Sequence, residues 1–281
     1  MQNLAVLVKL AAILAFIGWA ALVSATTNGG APLSPSEVAP SLGAFGVSLV
    51  WISFAYSGWN GAVYLAGEIR EPARNIPRAL WMTTLGVTLL YLMLNAVFLF
   101  AAPLQAIVGQ PDIAAIAAEH LGGPNFARAV SLLVALALAT SISAMMMAGP
   151  RVYAQMARDG LFPTWLVRGA DAPTAAVALQ TGLALLVFWV SDLVALLGYL
   201  GFTLSLSAAL TVFAAARLRR REGAARVPIP GYPWTPAAFV LFTVAAAGFL
   251  VAREPVQSLV GGATALLGLA MYFVRRSAAE P

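Results

Sequence analysis

The chain has 281 residues, of which 61% are hydrophobic and only 10% are charged, and its formal net charge at pH 7 is +5. A soluble domain of this length could not cover its surface with so few charged side chains. The apolar runs are long and unbroken, whereas the strands of a membrane β-barrel alternate apolar and polar residues. The composition therefore indicates an all-α polytopic membrane protein, with residues 1–281 forming a single transmembrane domain.

The residue types that carry most enzyme chemistry are scarce. The chain has no cysteine, one histidine (His120), and no HExxH, Walker A, GxGxxG or GxSxG sequence. An intramembrane hydrolase or transferase is the enzyme alternative, but no acid–base pair or metal-binding cluster lies within an apolar run. We therefore expect a protein that is not an enzyme and has no cofactor or metal. The excess of arginine suits the loops that flank membrane spans, so no nucleic-acid partner is expected.

Eight apolar runs, separated by glycine, proline and charged residues, are predicted to be transmembrane helices. They cover residues 2–24, 42–67, 79–101, 125–148, 174–191, 193–216, 236–252 and 256–274. An even number of spans places both termini on the same side of the membrane.

The arginines orient these spans. With Met1 in the cytoplasm, thirteen of the fifteen arginines fall in cytoplasmic loops or the C-terminal tail, and only Arg128 and Arg253 lie outside. By the positive-inside rule this bias sets the topology, with both termini cytoplasmic and the plasma (inner) membrane as the expected location. The run RLRRRE, residues 217–222, is interpreted as a topology anchor, with anionic-lipid binding as the alternative.

The second span contains an unusual sequence, FAYSGWNG, at residues 54–61. A continuous helix over residues 41–67 would be about 40 Å long, against a hydrocarbon core of about 30 Å. The small residues could simply let neighbouring helices approach closely. Alternatively, the helix is discontinuous, with main-chain carbonyls at the end of its first half and amides at the start of its second half available to a zwitterion.

Two connecting segments have sequences typical of helix starts. In REPARNIPRA, residues 70–79, Asn75 and Pro77 predict the beginning of the third span. In PDIAAIAAEHL, residues 111–121, the apolar residues share one face of a short amphipathic helix, which Asp112 caps and which we expect to lie over the outer mouth. Glu119 and His120 on that helix are interpreted as solvated surface residues.

Four segments resemble a known family. FAYSGWNGAVYLAGEIREPARNIPRAL, residues 54–80, resembles the sixth transmembrane helix and following loop of the amino acid–polyamine–organocation (APC) superfamily, in particular its L-type amino acid transporter branch. The other three segments are similar to the start of the fifth helix, the loop after the eighth and the approach to the eleventh. They are QNLAVLVKL (2–10), RVYAQMARDGLFP (151–163) and VPIPGYPWTP (227–236).

The resemblance implies a partial LeuT-type fold, in which two inverted five-helix repeats are followed by two further helices. The eight spans then match family helices 5 to 12: residues 1–24 end the first repeat, residues 41–217 form the second, and residues 235–276 are the two extra helices. The family's first four helices, including the one whose Gly-rich break binds the substrate carboxylate, have no counterpart. We therefore expect an N-terminally truncated chain that holds half of the binding site.

The resemblance also assigns roles at the break. The residues matching Phe54, Ala55 and Ser57 offer main-chain carbonyls to the substrate's α-ammonium group, and the aromatic ring at Phe54 closes over the substrate. Gly58 belongs to the same predicted site, and Asn60 faces the side-chain pocket. The pocket has small residues and no acidic group, which favours a neutral amino acid substrate.

Lys9, the only lysine, has two interpretations. Its ammonium group could reach the membrane interface along the first span. In sodium-independent members of the family, a lysine at the matching place occupies the position of a sodium ion, which makes Lys9 a candidate for replacing that ion or for proton coupling. Ser141 and Ser143 lie in the fourth span, whose polar face is a candidate for the pathway wall. At the inner end, salt bridges of an inner gate are predicted for Glu68, Arg74 and Arg151, with a solvated loop as the alternative.

The sequence thus predicts a secondary active transporter that moves amino acids across the lipid bilayer by alternating access. The alternative is a truncated accessory or regulatory membrane protein with no transport activity of its own. Uniport, exchange and proton symport all stay open, as does any partner subunit.

Overall fold

The computed structural model describes residues 2–27, 42–59, 61, 66–167, 174–223 and 228–279, and every regular element within them is helical. Short helical turns occupy Ser57–Trp59, Ala66–Glu68, Leu104–Ile107 and Thr164–Val167. The longer helices are α1 (Gln2–Thr27), α2 (Leu42–Ala55), α3 (Pro72–Ala101), α4 (Ile113–Arg158), α5 (Thr174–Val190), α6 (Leu193–Glu222), α7 (Trp234–Arg253) and α8 (Pro255–Ala279). The predicted all-α class is confirmed for these residues.

Six of these helices, α1, α3, α4, α6, α7 and α8, are long and apolar enough to cross a membrane. The other two coincide with predicted spans but are shorter. Helix α5 has 17 residues and helix α2 has 14. A helix of 14 residues is only about 21 Å long, so α2 by itself cannot cross a hydrocarbon core of about 30 Å. The α-helix ends inside the FAYSGWNG segment, as the discontinuous interpretation of the second span predicts.

The chain divides into two compact units, residues 1–38 with 61–151 and residues 39–60 with 152–281. In the first unit, α1, α3 and α4 pack around Phe16 of α1. Its ring centroid lies 6.1 Å from that of Phe126 and 6.5 Å from that of Phe98. Ala117 and Ala118 have no exposed surface in the same cluster. Their small side chains let α4 approach Phe16 closely, which is how membrane helices gain packing contacts.

Helix α4 is divided by a kink at Gly123, where φ is 78° and ψ is −176°. This combination is open almost only to glycine, and the following Pro124 is well suited to start a new helix. The kink separates a short helix from the long one, as the sequence predicts. In the short helix Ala117 and Leu121 face the core cluster, whereas Glu119 and His120 are exposed, as expected.

In the second unit, α7 and α8 pack against α6, and α2 packs against α7. Val50 of α2 is buried with Ala246 and Leu250 of α7, and Phe202 of α6 packs against them. Gly261 of α8 lies so close to Phe202 that an added Cβ would be 2.7 Å from its ring. The closely packed helix pairs therefore depend on small residues at their contacts.

A second cluster in this unit stabilises the turn after α4. Gly160 has a φ of 76°, and the amide of the next residue donates to the Met156 carbonyl at 2.8 Å. The chain then folds back, so that Phe162 stacks on Tyr153 at a centroid distance of 6.3 Å. Leu166 has no exposed surface. The segment RVYAQMARDGLFP is therefore a packed helix end and turn.

The start of α3 differs from the prediction. The helix begins at Pro72 and not near Asn75 and Pro77, because Pro72 occupies its first turn, where no amide hydrogen is needed. Glu71 precedes it in the left-handed conformation, with φ 47° and ψ 58°. The Asn75 amide group donates to the Arg70 carbonyl at 2.6 Å and so bonds back to the residue before Glu71.

Replacing Gly123 with alanine tests the backbone of the kink. An added Cβ would meet no atom within 4 Å at Gly123, and the same is true of Gly248 within α7. The two substitutions therefore differ in backbone strain and not in packing. We expect Gly123→Ala to destabilise the protein by about 1–3 kcal/mol, and Gly248→Ala to be neutral or stabilising. Thermal unfolding in detergent, followed by far-UV circular dichroism, measures the difference; equal unfolding midpoints would contradict the assignment.

Candidate functional site

The α-helical hydrogen-bond ladder of α2 ends at the FAYSGWNG segment. The Tyr56 amide donates to the carbonyls of Ile52 and Ser53, both at 3.2 Å, and the chain then tightens into the turn Ser57–Trp59. Phe54 and Ala55 thus lie in the last turn of α2. Carbonyls at the C-terminal end of a helix carry partial negative charge, and each carbonyl oxygen has two acceptor sites. This end of α2 is suited to a cation with several N–H donors.

The predicted site residues occupy different environments at this break. Phe54 and Ser57 are half-buried, whereas Ala55 and Gly58 are exposed. No atom lies within 4 Å of the position that a Cβ on Gly58 would take, so the backbone is accessible there. Asn60, predicted to face a side-chain pocket, lies outside the described residues. The part of the break that the structure describes therefore presents accessible main chain beside a half-buried aromatic ring.

The position of α2 depends on its contact with α7. A Cβ on Gly46 would be 2.7 Å from ring atoms of Phe249, so this ring already lies against the backbone of α2. One turn further along, Val50 is 2% exposed and Leu250 is 1% exposed. Helix α2 is thus held against α7 over the two turns that precede the break. This contact cannot be predicted from the sequence, because α2 and α7 lie far apart along the chain.

Lys9 has a hydrogen-bond partner within the first unit. Its Nζ donates to the Oγ of Ser141 on α4 at 3.2 Å, and the Ser141 hydroxyl donates to the Ala137 carbonyl at 3.0 Å. Both residues lie about 10 Å inside the ends of their predicted spans. A charged side chain at such a depth requires a polar partner. The sequence indicated both residues as candidates but not their pairing, because they lie on different predicted spans.

A cavity of about 680 Å³ lies beside this pair, between α1, α3 and α4. Lys9, Thr140 and Ser141 are the polar residues in its wall, which is otherwise apolar and includes Phe16, Leu94 and Phe98. Lys9 is half-buried. Its ammonium group carries three donors, and the hydrogen bond to Ser141 uses one of them. The wall therefore holds a positive charge at one edge of an apolar cavity.

At the N-terminal end of α3, the structure describes a partner for one of the predicted inner-gate residues. Arg74 forms a salt bridge with Glu71 at 3.6 Å, and both side chains are more than 60% exposed. An exposed pair of this kind contributes at most about 1 kcal/mol. Arg151 is half-buried and has interactions of its own. The side chain of Glu68 lies outside what the structure describes, so the gate stays a prediction.

Comparison with known proteins supports the resemblance. A sequence model of the amino acid permease family matches residues 1–271. The chain is 28% identical to Asc-type amino acid transporter 1 of Mus musculus over 239 residues, which are 84% of this chain and 45% of that protein. It is also 28% identical to large neutral amino acids transporter small subunit 2 of Homo sapiens over 238 residues, 84% of this chain and 44% of that protein.

A third relative is the cystine/glutamate transporter of Pongo abelii, 25% identical over 225 residues, which are 79% of this chain and 44% of that protein. The chain therefore spans less than half the length of the curated relatives it matches. By their names these relatives transport amino acids, and none is named as an enzyme.

The contact between Gly46 and Phe249 can be tested with a cysteine reporter, because the chain has no cysteine of its own. A methyl group at Gly46 would overlap the Phe249 ring, whereas one at Gly18 in α1 would meet no atom within 4 Å. In a Ser57→Cys background we expect Gly46→Ala to change the rate of thiol labelling at the break by several-fold, and Gly18→Ala to leave it unchanged.

The double variant Gly46→Ala/Phe249→Ala should restore the original labelling rate, because removing the ring makes room for the methyl group. Identical rates in all three variants would show that α7 does not position the break.

Proposed function

The chain belongs to the amino acid permease family, and we propose that it moves amino acids across the membrane as part of a secondary transporter that works by alternating access. The observation that supports this proposal is that α2 ends at Ala55, inside a span that would otherwise be continuous. Non-helical backbone at membrane depth is stable only where it is buried in protein or lines a cavity. Half-helix ends near the midplane are where transporters of broken-helix type bind their substrates.

The proposed substrate contacts are main-chain carbonyls. Those of Phe54, Ala55 and Ser57 accept hydrogen bonds from the α-ammonium group, which the negative end of the α2 dipole also favours. The half-buried ring of Phe54 closes over the bound substrate, and Gly58 keeps the backbone accessible. Asn60 contributes its amide to the side-chain pocket. The substrate carboxylate requires N–H donors. We propose that residues outside the described part of the break supply them.

A neutral amino acid fits this site best. Residues 42–59 contain no Asp, Glu, Lys or Arg, so nothing in the described part of the break compensates a charged substrate side chain. A charge left unpaired at membrane depth costs several kcal/mol. The names of two relatives, the Asc-type and large neutral amino acids transporters, are in keeping with this choice.

Lys9 is proposed to supply a positive charge where other transporters bind an inorganic cation. Its bond to Ser141 joins α1 to α4, and Lys9 itself lies in the wall of the cavity. Transport would then be independent of sodium.

We further propose that the arginine-rich helix ends face the cytoplasm in the plasma membrane, and that Glu68, Arg74 and Arg151 form part of an inner gate.

Amino acid uptake into proteoliposomes tests the proposed function. Because the chain spans less than half of its relatives' length, the assay uses it alone and co-produced with the remaining N-terminal part of a relative. We expect saturable uptake of neutral amino acids in the second arrangement. Phe54→Ala should reduce that uptake by up to about tenfold, since an aromatic contact is worth up to about 1.5 kcal/mol.

Phe242→Ala is the matched control, because Phe242 is 43% exposed on α7 and belongs to no proposed site. Uptake that is insensitive to Phe54→Ala, or equally sensitive to both substitutions, would contradict the assignment of the break. The accessory-protein alternative predicts no saturable uptake in either arrangement.

The role of Lys9 is tested by Lys9→Gln and Ser141→Ala in the same assay. We expect both to reduce uptake, Lys9→Gln by at least about tenfold, because a hydrogen bond to a charged group contributes about 1.5–3 kcal/mol. Ser131→Ala is the control: like Ser141, Ser131 donates to the carbonyl four residues earlier in α4 at 3.0 Å. Wild-type uptake should be the same in sodium and potassium buffers. Full activity of Lys9→Gln with unchanged cation and pH dependence would refute the role.

A further inference from the structure

The C-terminal end of α6 carries four arginines at positions 217, 219, 220 and 221, and two of them bind Tyr232, two residues before α7 begins. The Nε of Arg220 donates to the Oη of Tyr232 at 3.1 Å. The guanidinium carbon of Arg219 lies 4.7 Å from the centroid of the Tyr232 ring, in cation–π geometry. Tyr232 is thus bound by two adjacent arginines, and these two have a structural role at the end of α6.

The depth of this cluster follows from Trp234. It is the first residue of α7, lies two positions after Tyr232 and is 80% exposed. Exposed tryptophans at the ends of membrane helices are typical of the lipid headgroup level, because the ring has an apolar body and one N–H donor. Since Arg220 is bonded to Tyr232, the end of α6 lies at that level too.

Arg217 and Arg221 are not needed for the contact with Tyr232. They are four residues apart, so their side chains share one face of α6, and both are exposed. In the described part of the chain neither forms a salt bridge. Like charges at this spacing destabilise a helix, and an anion between them removes the repulsion. Guanidinium groups bind phosphate oxygens in bidentate geometry.

The same face of α6 is apolar on the membrane side of the two arginines. Phe213 is four residues before Arg217 and is 59% exposed, and Leu210 precedes it by three residues and is 58% exposed. The face therefore presents two large apolar side chains followed by two guanidinium groups. This order matches an amphiphile that has acyl chains in the hydrocarbon core and a phosphate at its surface.

We propose that Arg217 and Arg221 form a binding site for the phosphate of an anionic phospholipid, whose acyl chain lies along Phe213 and Leu210. Arg219 and Arg220 are positioning residues that set the depth of the site through Tyr232. The attraction of arginines to the dipole of the α6 C-terminus is common to all four side chains. It does not account for the continuous apolar and basic face.

Native mass spectrometry of the full chain in detergent tests this proposal, with phosphatidylglycerol and phosphatidylcholine as titrated lipids and inorganic phosphate as competitor. We expect tight binding of phosphatidylglycerol only. Arg217→Gln/Arg221→Gln should weaken it about thirty-fold, from about 1 kcal/mol per arginine. The control Arg78→Gln/Arg128→Gln, which changes the net charge equally at two exposed arginines elsewhere, should leave the affinity unchanged.

Each result decides between the sources of the anion. Equal binding of phosphatidylcholine, or equal loss of affinity in the two double variants, would overturn the proposal. Displacement of the lipid by millimolar inorganic phosphate would show a free-phosphate site and would also overturn the proposal.

Far-UV circular dichroism checks that Arg217→Gln/Arg221→Gln is folded. If it is not, Arg217→Lys/Arg221→Lys, which keeps the charge but loses the bidentate geometry, should still bind phosphatidylglycerol with reduced affinity, and unchanged affinity would count against the site. Transport plays no part in these measurements, so failure of the proposed function would leave them interpretable.

Discussion

The main constraint on this protein is that a hydrocarbon core offers no hydrogen bonds to the backbone. Helices satisfy their own amides and carbonyls, and each described regular element is helical. The chain departs from this rule where α2 ends at Ala55. A helix end at that depth must be held by protein, and the close contact of Gly46 with Phe249 and the buried Val50 provide the support. The end of α2 and its packing on α7 are therefore one structural feature.

The same constraint applies to charge. Lys9 lies in an apolar helix, and its Nζ donates to Ser141 on a neighbouring helix of the same unit. The other described basic groups lie mainly near helix ends, where water and lipid headgroups solvate them. Two of the arginines at the end of α6 also bind Tyr232, which lies just before α7. Charged residues thus have two roles in this protein, a paired ammonium at depth and guanidinium groups at the boundary.

Glycine and alanine supply most of the specificity of packing. At Gly46 and Gly261 a side chain would collide with an aromatic ring. Gly123, in contrast, adopts a backbone conformation that other residues avoid. In a membrane, where apolar side chains are equally soluble in lipid, such shape complementarity replaces the hydrophobic effect as the force between helices. The position of α2 accordingly depends on the contact of Gly46 with Phe249.

The sequence alone determined the helical class, the family and the location of the break, because these depend on local properties. The length of apolar runs and the clustering of Ser57, Gly58 and Gly61 can be interpreted without knowing any neighbour. It placed the start of α3 too late, because Pro72 and the left-handed Glu71 were not recognised as its boundary. Three contacts were decided only by tertiary structure: Lys9 with Ser141, Gly46 with Phe249, and Tyr232 with two arginines. The first two join residues more than a hundred positions apart. The third depends on how the chain returns from α6 to Tyr232. None of the three can therefore be inferred from the local sequence pattern.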